Sequence, residues 1–322
     1  MRNISAAAVT AVLALTLSGC GGAQIDSHGP TCLVVGNSQD LALKALENDK
    51  STAAEMKTNY TDVAHAAEKC QLTFAPTQMR EGVLAAAKKH PQRHFVLVGD
   101  TRGEDKTPAN VKPMRIAVEQ ATYLAGYLAA ATTTTGYVGT FVDKNTDQSK
   151  AAITGFAAGI DKYNQTKGSS VQLLGWDAGT GKATATGSTD AKIITQVTKE
   201  LLAKKAAVIF PVMQGAAAGV APAIKDAPDV FVIWAQPTAE LPGKTITAIE
   251  SNYARAVGAI AAQEKEGSFD STPYVIKLEK GVELTSYGEF EKLLPPDLRA
   301  EVAELKKEIR VGNLDASGGT QQ

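Results

Sequence analysis

His90 and His94 stand four residues apart, the spacing at which a helix presents two imidazoles to one metal ion. Pro91 falls between them and interrupts the helix that would align the pair, so both are expected in a surface loop. Gly179-Thr180-Gly181-Lys182 has the composition of a phosphate-cradling loop, yet its first glycine is misplaced. Ala183 also follows the lysine where a hydroxyl should bind magnesium. No Gly-x-Ser-x-Gly elbow occurs. Glu301, Glu304 and Lys307 fall at helical spacing and read as a solvated charged face. These residues support neither catalysis nor a metal or cofactor.

The thiols are more informative. Arg2, the apolar stretch Ile4 to Leu15, and the small residues of Leu17-Ser18-Gly19-Cys20 form an export signal with a cysteine just past the cut. The pattern resembles the lipobox of bacterial lipoproteins. The resemblance implies cleavage after Gly19 and acylation of Cys20, which would tie the chain to the outer face of the cytoplasmic membrane through the lipid bilayer. Two or more acyl chains anchor stably, at about 0.8 kcal/mol per buried methylene. The alternative is a plain secretory signal with an incidental cysteine. The apolar run is too short for a membrane-spanning helix.

Cys32 and Cys70 remain, an even pair in an exported chain, which favours a disulfide. Cys32 opens the first expected strand and Cys70 closes the helix returning from its far end, so a βαβ unit brings them to one end of the sheet. Two small buried thiols are the other reading; a redox pair is not, because Cys-x-x-Cys spacing is missing.

The elements that must position any site follow from the hydrophobic pattern. With 322 residues, 44% hydrophobic and 21% charged, the chain has room for two packed domains. A net charge of −1 without a basic tract gives no nucleic-acid footprint. Short apolar runs (Cys32–Gly36, Leu72–Phe74, Phe95–Val98, Met114–Val118, Gly136–Val142, Val171–Leu174, Ala207–Val212, Val230–Ile233) alternate with helical patterns. The helical stretches include one reaching Lys69, then Gly82–Lys89, Glu119–Ala131, Gln148–Tyr163, Ala191–Lys204, Gly215–Asp226, Tyr253–Glu266 and Leu298–Arg310. Such alternation predicts an α/β fold of two doubly wound parallel sheets, with ligands at the strands' carboxyl ends in the crevice between them.

The run Glu119-Gln120-Ala121-Thr122-Tyr123-Leu124-Ala125-Gly126-Tyr127-Leu128-Ala129-Ala130 resembles the YLAGYLA helix of the basic membrane protein family of solute-binding lipoproteins. That family includes the purine-nucleoside receptors of bacterial ABC importers. Gly136-Tyr137-Val138-Gly139, Gly155-Phe156-Ala157-Ala158-Gly159, Ala207-Val208-Ile209-Phe210-Pro211, Gly281-Val282-Glu283-Leu284 and Leu294-Pro295 follow in family order, so the likeness runs from about Phe95 to Leu314. It implies a bilobal periplasmic-binding-protein fold with three crossings, a small-molecule solute, an ABC permease as partner, and a monomer. The lipobox sets a signal peptide over 1–19, and the small, Gly-rich composition of the chain's ends gives a lipid-anchored tether over 20–30 and a disordered tail over 315–322 as expectations. The N-terminal lobe would be 31–113 plus 246–268, and the C-terminal lobe 114–245 plus 269–314.

The resemblance also locates the contacts and shows them altered. The family's Asp-Asp-x-Ser-Phe-Asn-like motif is replaced by Asn37-Ser38-Gln39-Asp40 after the first strand. Its later aromatic becomes Thr189, its Gly-Val-Asp carboxylate becomes Gln236, and its lysine becomes Ser251, while Asp100 matches a family acid. One βα unit between Phe74 and Gly82 is expected to be missing, shrinking the first sheet. Candidate ligand contacts, all at strand ends, are Asn37, Ser38, Gln39, Asp100, Asp143, Trp176, Asp177, Gln214, Trp234 and Gln236. Each polar residue has a helix cap or Asx turn as its rival role, and Trp234 has core packing. The expected function is capture of a small polar solute for an ABC importer. The alternative is an extracytoplasmic sensor or interaction lipoprotein that has lost transport.

Overall fold

The computed structural model of the chain describes residues 29–36, 46, 56–99, 107–238 and 241–318. The export signal, Cys20, Asn37, Ser38, Gln39 and Asp100 lie outside the described residues.

The first part of the chain alternates β1 (Thr31–Val34), β2 (Met56–Tyr60), α1 (Val63–Lys69), β3 (Leu72–Pro76), α2 (Arg80–Lys89), β4 (His94–Val98) and β5 (Val111–Ile116). Next come α3 (Val118–Thr132), β6 (Tyr137–Val142), α4 (Asp147–Lys167), β7 (Gln172–Leu174) and the short β8 (Trp176–Asp177) and β9 (Lys182–Ala183). The chain continues through α5 (Ala191–Ala203), β10 (Val208–Val212), α6 (Ala217–Ile224), β11 (Phe231–Trp234), β12 (Thr245–Ser251) and α7 (Ala254–Lys265). It finishes with β13 (Tyr274–Ile276), β14 (Val282–Leu284) and α8 (Pro296–Val311).

Two six-stranded sheets result, ordered β13-β5-β4-β3-β1-β2 and β14-β12-β11-β10-β6-β7. The first is parallel throughout, and in the second only the β12–β14 pairing is antiparallel. The α/β class expected from the alternation is therefore the observed one. The first sheet has six strands, with Met56–Tyr60 as an edge strand where the sequence pattern predicts helix, and no strand intervenes between β3 and α2. Among the described helices that cover the face of this sheet carrying Cys32, α1 has 7 residues and α2 has 10, against 21 in α4 of the second lobe.

Strand alternation divides each sheet's side chains between two cores. On the first sheet Leu33, Phe74, Val96 and Met114 face one way and join residues of α7, while Cys32, Ala75, Phe95 and Leu97 face α1 and α2. On the second, Val138 and Phe210 pack with α3, α4 and α8, whereas Ile209, Val232 and Trp234 pack with α5 and α6. The first of these clusters is continuous through both lobes.

The Cys32–Cys70 disulfide is present, with Cα atoms 6.0 Å apart, and sits wholly buried in the α1–α2 core. Helix α3 is buried from Ala121 to Ala130, so it is apolar nearly all round, as an interior helix must be. Its glycine admits α4 closely: a Cβ on Gly126 would lie 1.9 Å from the Phe156 carbonyl oxygen, and one on Gly159 2.0 Å from that of Tyr123. The YLAGYLA and GF-x-AG segments thus encode one helix–helix contact. Thr146 and Ser149 close a capping box at the α4 N-terminus, and Gly168 in the left-handed region ends the helix.

Sheet membership shifts the expected lobe boundaries. β12 belongs to the second sheet and β13 to the first, so the chain crosses at Ala117, at Asn252–Tyr253 and between Ile276 and Val282. Residues after α7 are clasped to the first lobe by side chains. Lys112, only 2% exposed, donates to Asp270 at 2.9 Å and lies 5.3 Å from the Phe269 ring centroid. Phe269 stacks on His94 with centroids 4.1 Å apart, and His94 Nδ1 stands 2.6 Å from Glu264. At the carboxyl end, Ala316 is buried and Asp315 accepts from the Ser317 amide, so residues 315–317 are folded rather than tail.

Candidate functional site

A cleft of about 910 Å³ opens between the two lobes at the carboxyl ends of their parallel strands. This is where a doubly wound sheet leaves loops free to diverge and bind. Leu46, Gln78 and Ile116 line it from the first lobe. Most of the remaining wall comes from strand ends of the second lobe: Asp143 after β6, Met213 and Gln214 after β10, Ala235 and Gln236 after β11, and Ile249 to Asn252 on and after β12. Thr146, Gln148 and Ser149 add the first turn of α4, and Thr189 the approach to α5.

Of the residues singled out in the sequence, the cleft brings together Asp143, Gln214 and Gln236. Gln236 is partly held in place, its Nε2 donating to the Met213 carbonyl at 3.4 Å. Thr189 and Ser251 line the cleft as well, so three positions that the resemblance assigned to ligand contact lie on its wall with altered chemistry. Trp234 does not line it. Alternation along β11 puts Trp234 on the same face as Val232, and its indole N–H donates to Thr245 Oγ1 at 2.9 Å within the outer core.

Trp176 and Asp177 are elsewhere too. They form one strand of a small hairpin with Lys182 and Ala183, and Trp176 packs against the cluster of Val142, Ile153 and Ala183. The Asp177 carboxylate accepts the amides of Gly179 and Thr180 at 2.9 and 3.3 Å, and the Thr180 hydroxyl at 2.8 Å. Those bonds, the hydroxyl's first, hold its pKa below the ordinary carboxylate range. Gly179-Thr180-Gly181-Lys182 is accordingly the hairpin's turn, with Asp177 as its organiser. His90 caps α2 and His94 begins β4, so the two imidazoles share no helix face.

Gln78, Glu250, Asn252 and Tyr253 also line the cleft, and no motif in the sequence marks them. Glu250 is the penultimate residue of β12, and Asn252 and Tyr253 form the crossing that follows it directly. The crossings are laced together. The Ala117 amide donates to the Ile276 carbonyl at 2.8 Å, and the Asn252 amide to the Gly281 carbonyl at 2.7 Å. The Leu278 amide donates to Gln120 Oε1 at 3.0 Å. Among the described residues no helix is long and apolar enough to cross a membrane. Nor do those residues include a group of three or more His, Cys, Asp or Glu able to hold a metal ion.

Two sheets, three laced crossings and a cleft at the strand ends narrow the comparison with known proteins. A family model for PnrA-like ABC transporter substrate-binding proteins (Bmp) matches residues 34–271. The chain belongs to this family. Such proteins act outside the cytoplasm, handing a small-molecule solute to a permease. Structural likeness is consistent in fold. An ABC transporter solute-binding protein from Conexibacter woesei DSM 14684 superposes with a TM-score of 0.66 at 22% identity, over 88% of this chain and 97% of that one. One from Aeropyrum pernix K1 gives 0.70 at 19% identity, over 89% and 92%. A transcriptional activator of the comK gene from Bacillus halodurans gives 0.69 at 18%, over 88% and 99%. No curated protein sequence matches the chain significantly.

Proposed function

We propose that this substrate-binding protein is anchored by acylated Cys20 to the outer face of the cytoplasmic membrane, and that it captures a small polar solute in the interlobe cleft. The observation that carries the reading is the cleft itself, walled by both lobes and spanned at its back by three hydrogen-bonded crossings. That arrangement permits hinge closure, and a solute favours the closed state by its differential affinity for it. The protein's lobes are the two sheets with their covering helices, and its functional unit is a monomer. Amides and hydroxyls (Gln214, Gln236, Ser251, Thr189) suit a hydroxylated solute by hydrogen bonding.

Neither Thr189, Gln236 nor Ser251 supplies the stacking face or charges through which a nucleoside is held in the family. That observation favours a second reading, a lipoprotein that keeps the fold as an extracytoplasmic sensor or interaction module. A thermal-shift screen of nucleosides, bases, sugars and amino acids separates the two. A solute that raises the melting temperature supports capture, since a ligand bound only by the native state must stabilise it. No shift with any solute at millimolar concentration favours the second reading. The anchor is tested by the intact mass of the membrane-extracted protein, which must carry acyl chains on an N-terminal Cys20.

A further inference from the structure

Four neighbouring strands of the second sheet, in the order β12, β11, β10, β6, end at the cleft. Reading across them, the wall carries Glu250, then Gln236, then Gln214, then Asp143. Adjacent strands lie roughly 4.8 Å apart, so three intervals set the two acids about 14 Å from one another with two amides between. Among the described residues that line the cleft there is no lysine, arginine or histidine. Neither the Asp143 nor the Glu250 carboxylate has a hydrogen bond or ion pair with another described residue.

Helix N-termini would ordinarily draw an anion to such a place. Here those of α4 and α7 are already served, and α3, whose first residue Val118 lines the cleft without a side-chain cap, carries Glu119 in its first turn. At α4, Thr146 Oγ1 accepts the Ser149 amide at 3.1 Å and Ser149 Oγ accepts the Thr146 amide at 2.9 Å. Before α7, Asn252 Oδ1 accepts the Ala254 amide at 2.8 Å. Among the described residues an anion in the cleft would meet two carboxylates that lack an ion pair, whereas a cation would neutralise them and donate to the amide oxygens between.

We propose that the cleft takes a cationic solute, an organic ammonium or guanidinium compound that pairs with Asp143 and Glu250, and that it rejects anions. This deepens the solute-receptor reading and rests on it. At a span of about 14 Å, an extended diamine or triamine reaches towards both acids at once.

The test is calorimetric titration of the purified protein with spermidine, agmatine and arginine as cations, ribose and inosine as neutral solutes, and glutamate and inorganic phosphate as anions. The expected result is binding of at least one cation, weakened ten-fold or more by Asp143→Asn or Glu250→Gln and by raising NaCl from 50 to about 500 mM. Both variants are to be checked for an unchanged melting temperature without solute. Binding of an anion overturns the proposal, as does a neutral solute whose affinity neither variant changes. Either outcome leaves the receptor reading standing. If no solute binds, the receptor reading itself fails.

Discussion

The Ala117 amide meets the Ile276 carbonyl at 2.8 Å, fastening the first crossing between the lobes to the third. The second crossing is fastened to the third in the same way, Asn252 to Gly281 at 2.7 Å. Motion of one lobe against the other must therefore turn about a three-stranded, hydrogen-bonded strap.

Gly281→Ala tests the strap. Gly281 has φ of 138°, and a Cβ there would fall 2.4 Å from the Asn252 carbonyl oxygen. The substitution should destabilise the protein by about 1–3 kcal/mol and alter solute affinity, although residue 281 does not line the cleft. Denaturant melts and titration with the best solute check both effects. Gly281 also heads one of the segments by which the chain resembles its family, which gives that likeness a mechanical reason.

Gly126→Ala addresses the α3–α4 contact. A Cβ placed 1.9 Å from the Phe156 carbonyl oxygen meets backbone, which cannot swing aside. A loss of about 3 kcal/mol or more is expected, at the upper end of ordinary overpacking. Gly136→Ala is a poor control because its φ is 79°, so Ala130→Gly, which removes volume at the same helix, is preferable. Urea unfolding of the two variants reads the difference.

Cys32→Ala with Cys70→Ala removes a cross-link closing 38 residues. On the chain-entropy model the loss is about 3–4 kcal/mol. Thiol alkylation of the non-reduced protein, followed by mass spectrometry, should label neither residue. Free labelling of both would contradict the bond.

Acid should loosen the clasp behind α7. Hydrogen bonding from Lys112 and then from the Thr272 amide lowers the Asp270 pKa below its ordinary value. A carboxylate whose folded pKa is depressed contributes stability above the unfolded pKa of about 3.9 and loses it as pH falls through the folded one. Asp270→Asn should thus flatten the fall of stability below about pH 4 and lower stability at neutral pH, where the buried Lys112 ammonium would lack its counter-charge. Denaturant midpoints measured from pH 3 to 7 decide it.

How far the sequence discloses this architecture depends on where each residue's environment is set. Cys32–Val34 and Phe95–Val98 are apolar on both faces because helices cover both sides of the sheet, and that makes the strands plain. Met56-Lys57-Thr58-Asn59-Tyr60 is an edge strand with a polar middle, so it carries no such signal. Asp143, Gln214 and Gln236 are legible as strand-end polar residues, but Trp234 is still the last residue of its strand, where alternation sends it into the core. Glu250 and Asn252 are illegible because their exposure depends on β12 running on into a crossing, a fact of tertiary topology.

In the proposed receptor a solute is held by the second lobe's strand ends. Calorimetric titration of the solute that most raises the melting temperature, into the wild type and a Gln214→Ala/Gln236→Ala double variant, decides whether it is. Saturating solute at a hundred times its Kd should stabilise the wild type by about 2.7 kcal/mol. The double variant should lose at least ten-fold in affinity with the unliganded melting temperature little changed. Equal affinity for both proteins would contradict it.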